Sequence, residues 1–211
     1  MADRTPIVHS STVPGGVTQL RSASSQASLV ESARKGAIYE RSLQRKRGEV
    51  SESVMALVIC EAVQYLQKQA KGIADLEDRL NRLGYHMGQR VLELITLREG
   101  KSAKRETKVL GILQFIHTMV WRTLFGRPAD ALERSTEDTN QYMIIDNDPL
   151  ITRFISVPKD MAQLNCAAFA AGIIEAVLDA SLFTAKVTAH TMGTPQTPDK
   201  TVYLVQFESL R

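Results

Sequence analysis

The sequence predicts an α+β domain in which helices pack on one antiparallel sheet. Up to Gly126, long segments place apolar residues at three- and four-residue steps. After Pro128 the pattern turns to short alternating runs separated by polar turns. One further apolar helix, from Asn165 to Leu178, sits between two such hairpins.

Residues 1 to about 35 are rich in Ser, Thr, Gly and Pro and poor in aromatics. Such a stretch cannot bury enough apolar surface to offset its ordering entropy, so it reads as a flexible tail, 1–35, before a single domain, 36–211. The cluster Arg41 to Arg47 (RSLQRKR) could touch acidic lipid or an acidic partner, or simply be a solvated charge run. The first helix follows Ser51, a residue that can cap it. Its run Val54 to Tyr65 is apolar on nearly every face, which predicts burial on several sides, and Gly72 is expected to close it.

The second helix is a cleaner amphipath, with Leu76, Leu80, Leu83, Met87, Val91 and Leu94 as its stripe. Asp75, Glu77 and Asp78 in its first turn suit the positive end of the helix dipole. Gly84 and Gly88, four apart, mark either a close backbone approach on one face or a kink. The third helix, Lys104 to Phe125, carries the stripe Leu110, Leu113, Ile116 or His117, Val120 and Leu124, and stops at Gly126-Arg127-Pro128. His117 reads as a hydrogen-bonded core histidine. Ala131–Thr136 and Gln141–Ile145 then form a hairpin around a Glu-Asp-Thr-Asn turn. Pro149 to Val157 is a helical or extended connector. Phe183–His190 and Thr201–Phe207 form the last hairpin, joined by the loop Gly193 to Pro198.

Composition narrows the function. A chain of 211 residues supports one sizeable core without demanding two. The net charge of +3 is dispersed, unlike the concentrated phosphate neutralisation of a nucleic-acid binder. Two cysteines, Cys60 and Cys166, make no disulfide framework, and the four histidines lack zinc-ligand spacing, so a reducing cytosol and no metal or cofactor are expected. The N-terminus, MADRTPIVHSST, lacks the apolar segment of a secretory signal. The longest apolar run, Cys166 to Leu178, is broken by Glu175 and falls short of the roughly 18 residues a membrane span requires, so membrane contact is expected to be peripheral only. There is no phosphate-binding glycine loop and no GxSxG elbow.

One constellation imitates an active site. Cys166 stands at the start of a helix, where a thiol pKa can fall, and His190 ends the following strand. That gives an alternative reading, a small thiol-dependent or ligand-binding enzyme using Cys166. The apolar neighbours Ala167, Ala168, Phe169 and Ala170 favour instead a buried neutral thiol and no catalysis.

The segments KRETKVLGILQFI (Lys104 to Ile116), WRTLFGRPADALE (Trp121 to Glu133), YMIIDNDPLITRFISVPKD (Tyr142 to Asp160), LNCAAFAAGIIEAVL (Leu164 to Leu178) and FTAKVTAH (Phe183 to His190) together resemble the small core subunits of TRAPP, the transport protein particle, in its subunit-five lineage. The resemblance covers about Ala37 to Glu208. It implies a Bet-three-like fold, with long helices on one face of a twisted antiparallel sheet. It also implies a non-catalytic building block of a complex that tethers vesicles in ER-to-Golgi transport and acts, as an assembly, as a Rab guanine-nucleotide exchange factor. The implied partners are other TRAPP small subunits, with a Rab GTPase reached through the assembled complex. The implied location is cytoplasmic, peripheral at early Golgi and ER-to-Golgi membranes. Family subunits pair through their long N-terminal helices, which makes Val54, Leu57, Val58, Val63, Tyr65, Leu76, Leu80, Leu83, Met87 and Val91 the expected partner interface. A related branch acylates a cysteine just before the Arg-Glu-Thr motif; here Ser102 stands near that place, so no acylated tunnel is expected. The loop Thr191 to Lys200 reads as a lineage-specific surface insertion.

Overall fold

The computed structural model describes residues 50–99 and 105–208, which fall in one compact unit. The tail, the Arg41–Arg47 cluster and Ser102 lie outside the described residues. In chain order the elements are α1 (Glu52–Gln67), α2 (Ile73–Glu99), α3 (Val109–Phe115), a π-turn (Ile116–Val120) leading straight into α4 (Trp121–Phe125), β1 (Ala131–Arg134), β2 (Gln141–Asp146), a 3₁₀ turn (Lys159–Met161), α5 (Ala168–Ala180), β3 (Ala185–Thr191) and β4 (Thr201–Phe207). Helices and a four-stranded antiparallel sheet of order β1-β2-β4-β3 make the expected α+β fold.

The centre of the molecule is the crossing of α2 and α5. Leu76, Leu80, Gly84, Gly88, Val91 and Ile95 form the buried stripe of α2. Nine residues of α5 are buried, from Phe169 to Leu178. The two backbones touch because glycine stands at the contact on both helices. A Cβ on Gly84 would lie 1.8 Å from the Phe169 carbonyl oxygen, and one on Gly172 2.0 Å from that of Asn81. The glycines of α2 therefore serve a close approach, not a kink, and the interhelix contact repays their low helix propensity.

Register aligns the core face of the sheet. Ile144 pairs with Tyr203, Tyr142 with Val205, and Val187 with Val205, and paired residues share a face. Trp121 of α4 packs edge-on against Tyr203, with ring centroids 5.3 Å apart. Its indole Nε1 donates to Asp146 at 3.0 Å. Arg127 reaches the same carboxylate at 2.5 Å, so this almost fully buried charge is paired. The stop signal at residues 126–128 thus does two jobs: Gly126 turns the chain at φ 77°, and Arg127 neutralises Asp146.

Several boundaries differ from expectation. Ser51 occupies the N-cap of α1, but only its carbonyl is used, accepting from Val54 and Met55. α1 ends at Gln67, and Gly72 instead opens α2, its carbonyl accepting from Leu76. α3 starts at Val109 rather than Lys104. The stripe running from α3 into α4 is Ile112, Leu113, Ile116, Val120 and Trp121, whereas Leu110 is 59% exposed and Leu124 half-buried. The π-turn inserts an extra residue into the helical repeat, which a strict 3.6-residue period cannot anticipate. His117 does not meet the expectation of a fully hydrogen-bonded core residue: its Nε2 is buried without a hydrogen-bond partner among the described residues. The fourth expected helix begins at Ala168, preceded by a turn in which Asn165 Oδ1 accepts from the Ala167 amide at 3.0 Å.

Candidate functional site

α1 is the element whose apolar surface the fold does not use. Ile59 is its one buried residue. Met55, Val63 and Leu66 lean half-buried toward the body, while Val54 (50% exposed), Leu57 (67%), Val58 (58%) and Tyr65 (63%) face outward. These four recur at three-, four- and seven-residue steps, so they form one stripe along the helix. The expected burial of Val54 to Tyr65 on several sides is therefore wrong for the chain alone.

α1 is fastened at its ends. Arg153 pairs with Glu52 at 3.3 Å and also holds Asp148, whose carboxyl that hydrogen bond keeps below the usual range. At the other end Gln67 Nε2 reaches Met161 Sδ at 3.3 Å. Between them, a cavity of about 410 Å³ lies between α1 and the 154–166 segment, with Cys60 and Cys166 on its lining.

Of the other expected interface residues, Leu83 is 39% exposed and Met87 half-buried. Leu76, Leu80 and Val91 are at most 8% exposed and belong to the chain's own core. They cannot meet a partner: a helix with one apolar stripe has spent it once that stripe packs on α5.

The cysteine and histidine do not come together. Cys166 is 4% exposed and opens beneath α1; burial first, then the Glu77 carboxylate and Cys60, push its thiol up to about 11. At neutral pH that is a protonated, unreactive thiol. His190 is exposed on β3, its Nε2 bonded to Thr188 Oγ1 at 2.9 Å, and lines a different groove. Among the described residues no cluster of three or more His, Cys, Asp or Glu is placed to hold a metal, and no helix is long and apolar enough to cross a membrane.

What the fold and this surface define is an α+β subunit with an exposed apolar helix. Comparison with known proteins gives it a family. Residues 55–208 match the family model described as transport protein particle (TRAPP) component. The chain is 49% identical over 171 residues to trafficking protein particle complex subunit 5 of Dictyostelium discoideum, covering 81% of this chain and 91% of that protein. It is 51% identical over 156 residues to the Homo sapiens protein of the same name, covering 74% and 82%. The fold is also that of a Naegleria fowleri trafficking protein particle complex subunit 3, described as covalently bound to palmitic acid, with a TM-score of 0.62, 20% identity, and 76% and 97% of the two chains covered. The chain belongs to the TRAPP component family, in the subunit-five lineage.

Proposed function

We propose that this protein is a non-catalytic subunit of a trafficking protein particle complex, and that the outward stripe of α1 is where another small TRAPP subunit pairs with it. The exposed row Val54, Leu57, Val58 and Tyr65 carries the proposal. Burying large apolar side chains stabilises by about 1.5–3 kcal/mol each, so four of them can offset much of the cost of association. The assembly tethers vesicles in ER-to-Golgi transport and acts as a guanine-nucleotide exchange factor for a Rab GTPase, which is reached through the assembled complex. The subunit is cytoplasmic and sits peripherally at early Golgi and ER-to-Golgi membranes.

Co-expression with other small TRAPP subunits tests the pairing. The wild-type chain is expected to co-elute with one of them. Leu57→Asp or Val58→Asp should weaken that complex at least tenfold while the separately purified chain keeps its circular dichroism. Co-elution unaffected by both substitutions would move the interface elsewhere.

A further inference from the structure

Between β3 and β4 the chain leaves the body through Met192 to Lys200, MGTPQTPDK. No residue of this loop belongs to the hydrophobic core. Thr194, Pro195, Gln196, Pro198 and Asp199 are exposed, while Thr197 and Lys200 are half-buried. The loop repeats one dipeptide, Thr194-Pro195 and Thr197-Pro198. The other three prolines among the described residues follow Arg127, Asp148 and Val157, so among them a hydroxyl side chain precedes proline only here.

The repeat folds as two consecutive turns, each with threonine first and proline second, where proline is favoured. In the first, Thr194 N donates to the Thr197 carbonyl at 3.0 Å and Thr197 N to the Thr194 carbonyl at 3.1 Å. The two threonine hydroxyls bond to each other at 2.8 Å. In the second, Lys200 N donates to the same Thr197 carbonyl at 3.3 Å. Met192 N donates to the Lys200 carbonyl at 2.8 Å and closes the loop on the sheet. These bonds join the loop only to itself. Net, a hydrogen bond contributes about 1 kcal/mol, so the turns open at small cost while β3 and β4 stay paired. A residue before proline already prefers extended backbone, and proline has no N–H that opening would strand. The Lys200 ammonium, two residues beyond Pro198, has no partner among the described residues.

We propose that Thr197 is a phosphorylation site for a proline-directed protein kinase, one whose groove takes proline after the acceptor and a cation two places further on. With the turns open, Oγ1 of Thr197 attacks the γ-phosphorus of the nucleoside triphosphate that the kinase supplies. The new O–P bond forms as the bond to the diphosphate breaks, and the diphosphate leaves with the electron pair. The hydroxyl proton passes to the kinase's catalytic carboxylate. The product carries a charge of about −1.5 to −2 at the tip of the hairpin, three residues before Lys200. It replaces the hydroxyl that closes the first turn, so the modification also reshapes the loop. No residue of α1 takes part, and the site stands or falls independently of pairing through that helix.

The test incubates the full-length chain with a recombinant cyclin-dependent kinase, magnesium and ATP, and maps phosphate by tandem mass spectrometry. Phosphate is expected on Thr197. Pro198→Ala should slow its incorporation at least tenfold, and Thr197→Val should remove most of the label. Both variants should keep the wild-type circular dichroism spectrum, because the loop lies outside the core. A kinase that selects arginine before the acceptor should leave Thr197 unmodified. Phosphate confined to Thr194, or to Thr5 in front of Pro6, overturns the assignment, as does an unchanged rate in Pro198→Ala. The free peptide Met192–Thr201 serves as the unfolded reference. A folded chain modified over a hundredfold more slowly than that peptide would mean that the turns withhold the hydroxyl, which also overturns the proposal.

Discussion

Helices α1 and α5 are written in nearly the same alphabet and meet opposite fates. α1 reads ESVMALVICEAVQYLQ and buries one residue; α5 reads AFAAGIIEAVLDA and buries nine. The difference lies in what their neighbours allow. α5 carries small residues on the side that meets α2 and is roofed by the sheet on another, so it is enclosed. α1 lies on the outside of the body, held by Arg153, Gln67 and the half-buried side of its own surface. Apolar all round means buried only if something stands on every side, and among the described residues nothing covers the outer side of α1.

The contrast can be broken most severely at the glycine contact. Gly84→Ala should destabilise the chain by on the order of 3 kcal/mol or more, because the new methyl meets a carbonyl oxygen that cannot swing aside. Urea denaturation would measure it; a loss under 1 kcal/mol would show that the helices can separate cheaply. A matched pair of truncations comes next. Ile174→Ala, at a fully buried position of α5, should cost about 3 kcal/mol. Leu57→Ala in α1 should stay within about 0.5 kcal/mol, and equal losses would erase the distinction between the two helices.

The remaining effect is alkaline. The Cys166 thiol ionises near its ordinary value of 9.0 when the chain is unfolded and at about 11 when folded. The folded state therefore keeps a proton that the unfolded state releases, and stability falls as pH rises between those values. Cys166→Ala should flatten that decline by at most about 2 kcal/mol. Tyr203, whose phenol burial also pushes up, should preserve a decline at still higher pH in both proteins. An unchanged slope between pH 9 and 11 would mean that the thiol is solvated.

Much of this was legible in the residues. The α2 stripe at Leu76, Leu80 and Val91, the small-residue contact at Gly84, the stop at Gly126 and the strand β4 appear where periodicity and turn chemistry place them, whereas Gly84, Gly88 and Ile95 are buried in place of the expected Leu83, Met87 and Leu94. The site was only partly legible. Val54, Leu57, Val58 and Tyr65 could be named but not shown to be exposed, and Leu76, Leu80 and Val91 were assigned to a partner although α5 covers them. The π-turn after α3 left no sequence signal, so Leu110 was placed inward when it points out.

By itself the sequence determined which segments are helix and strand, that they form an α+β domain, and the family to which they belong. These follow from local spacing and from long, specific runs of residues. Only the tertiary structure decided which apolar faces are already covered, that Cys166 and His190 open on separate surfaces, and that β3 rather than β4 ends the sheet. Burial, proximity and strand order are relations between distant parts of the chain, and a one-dimensional pattern carries no record of what packs against it.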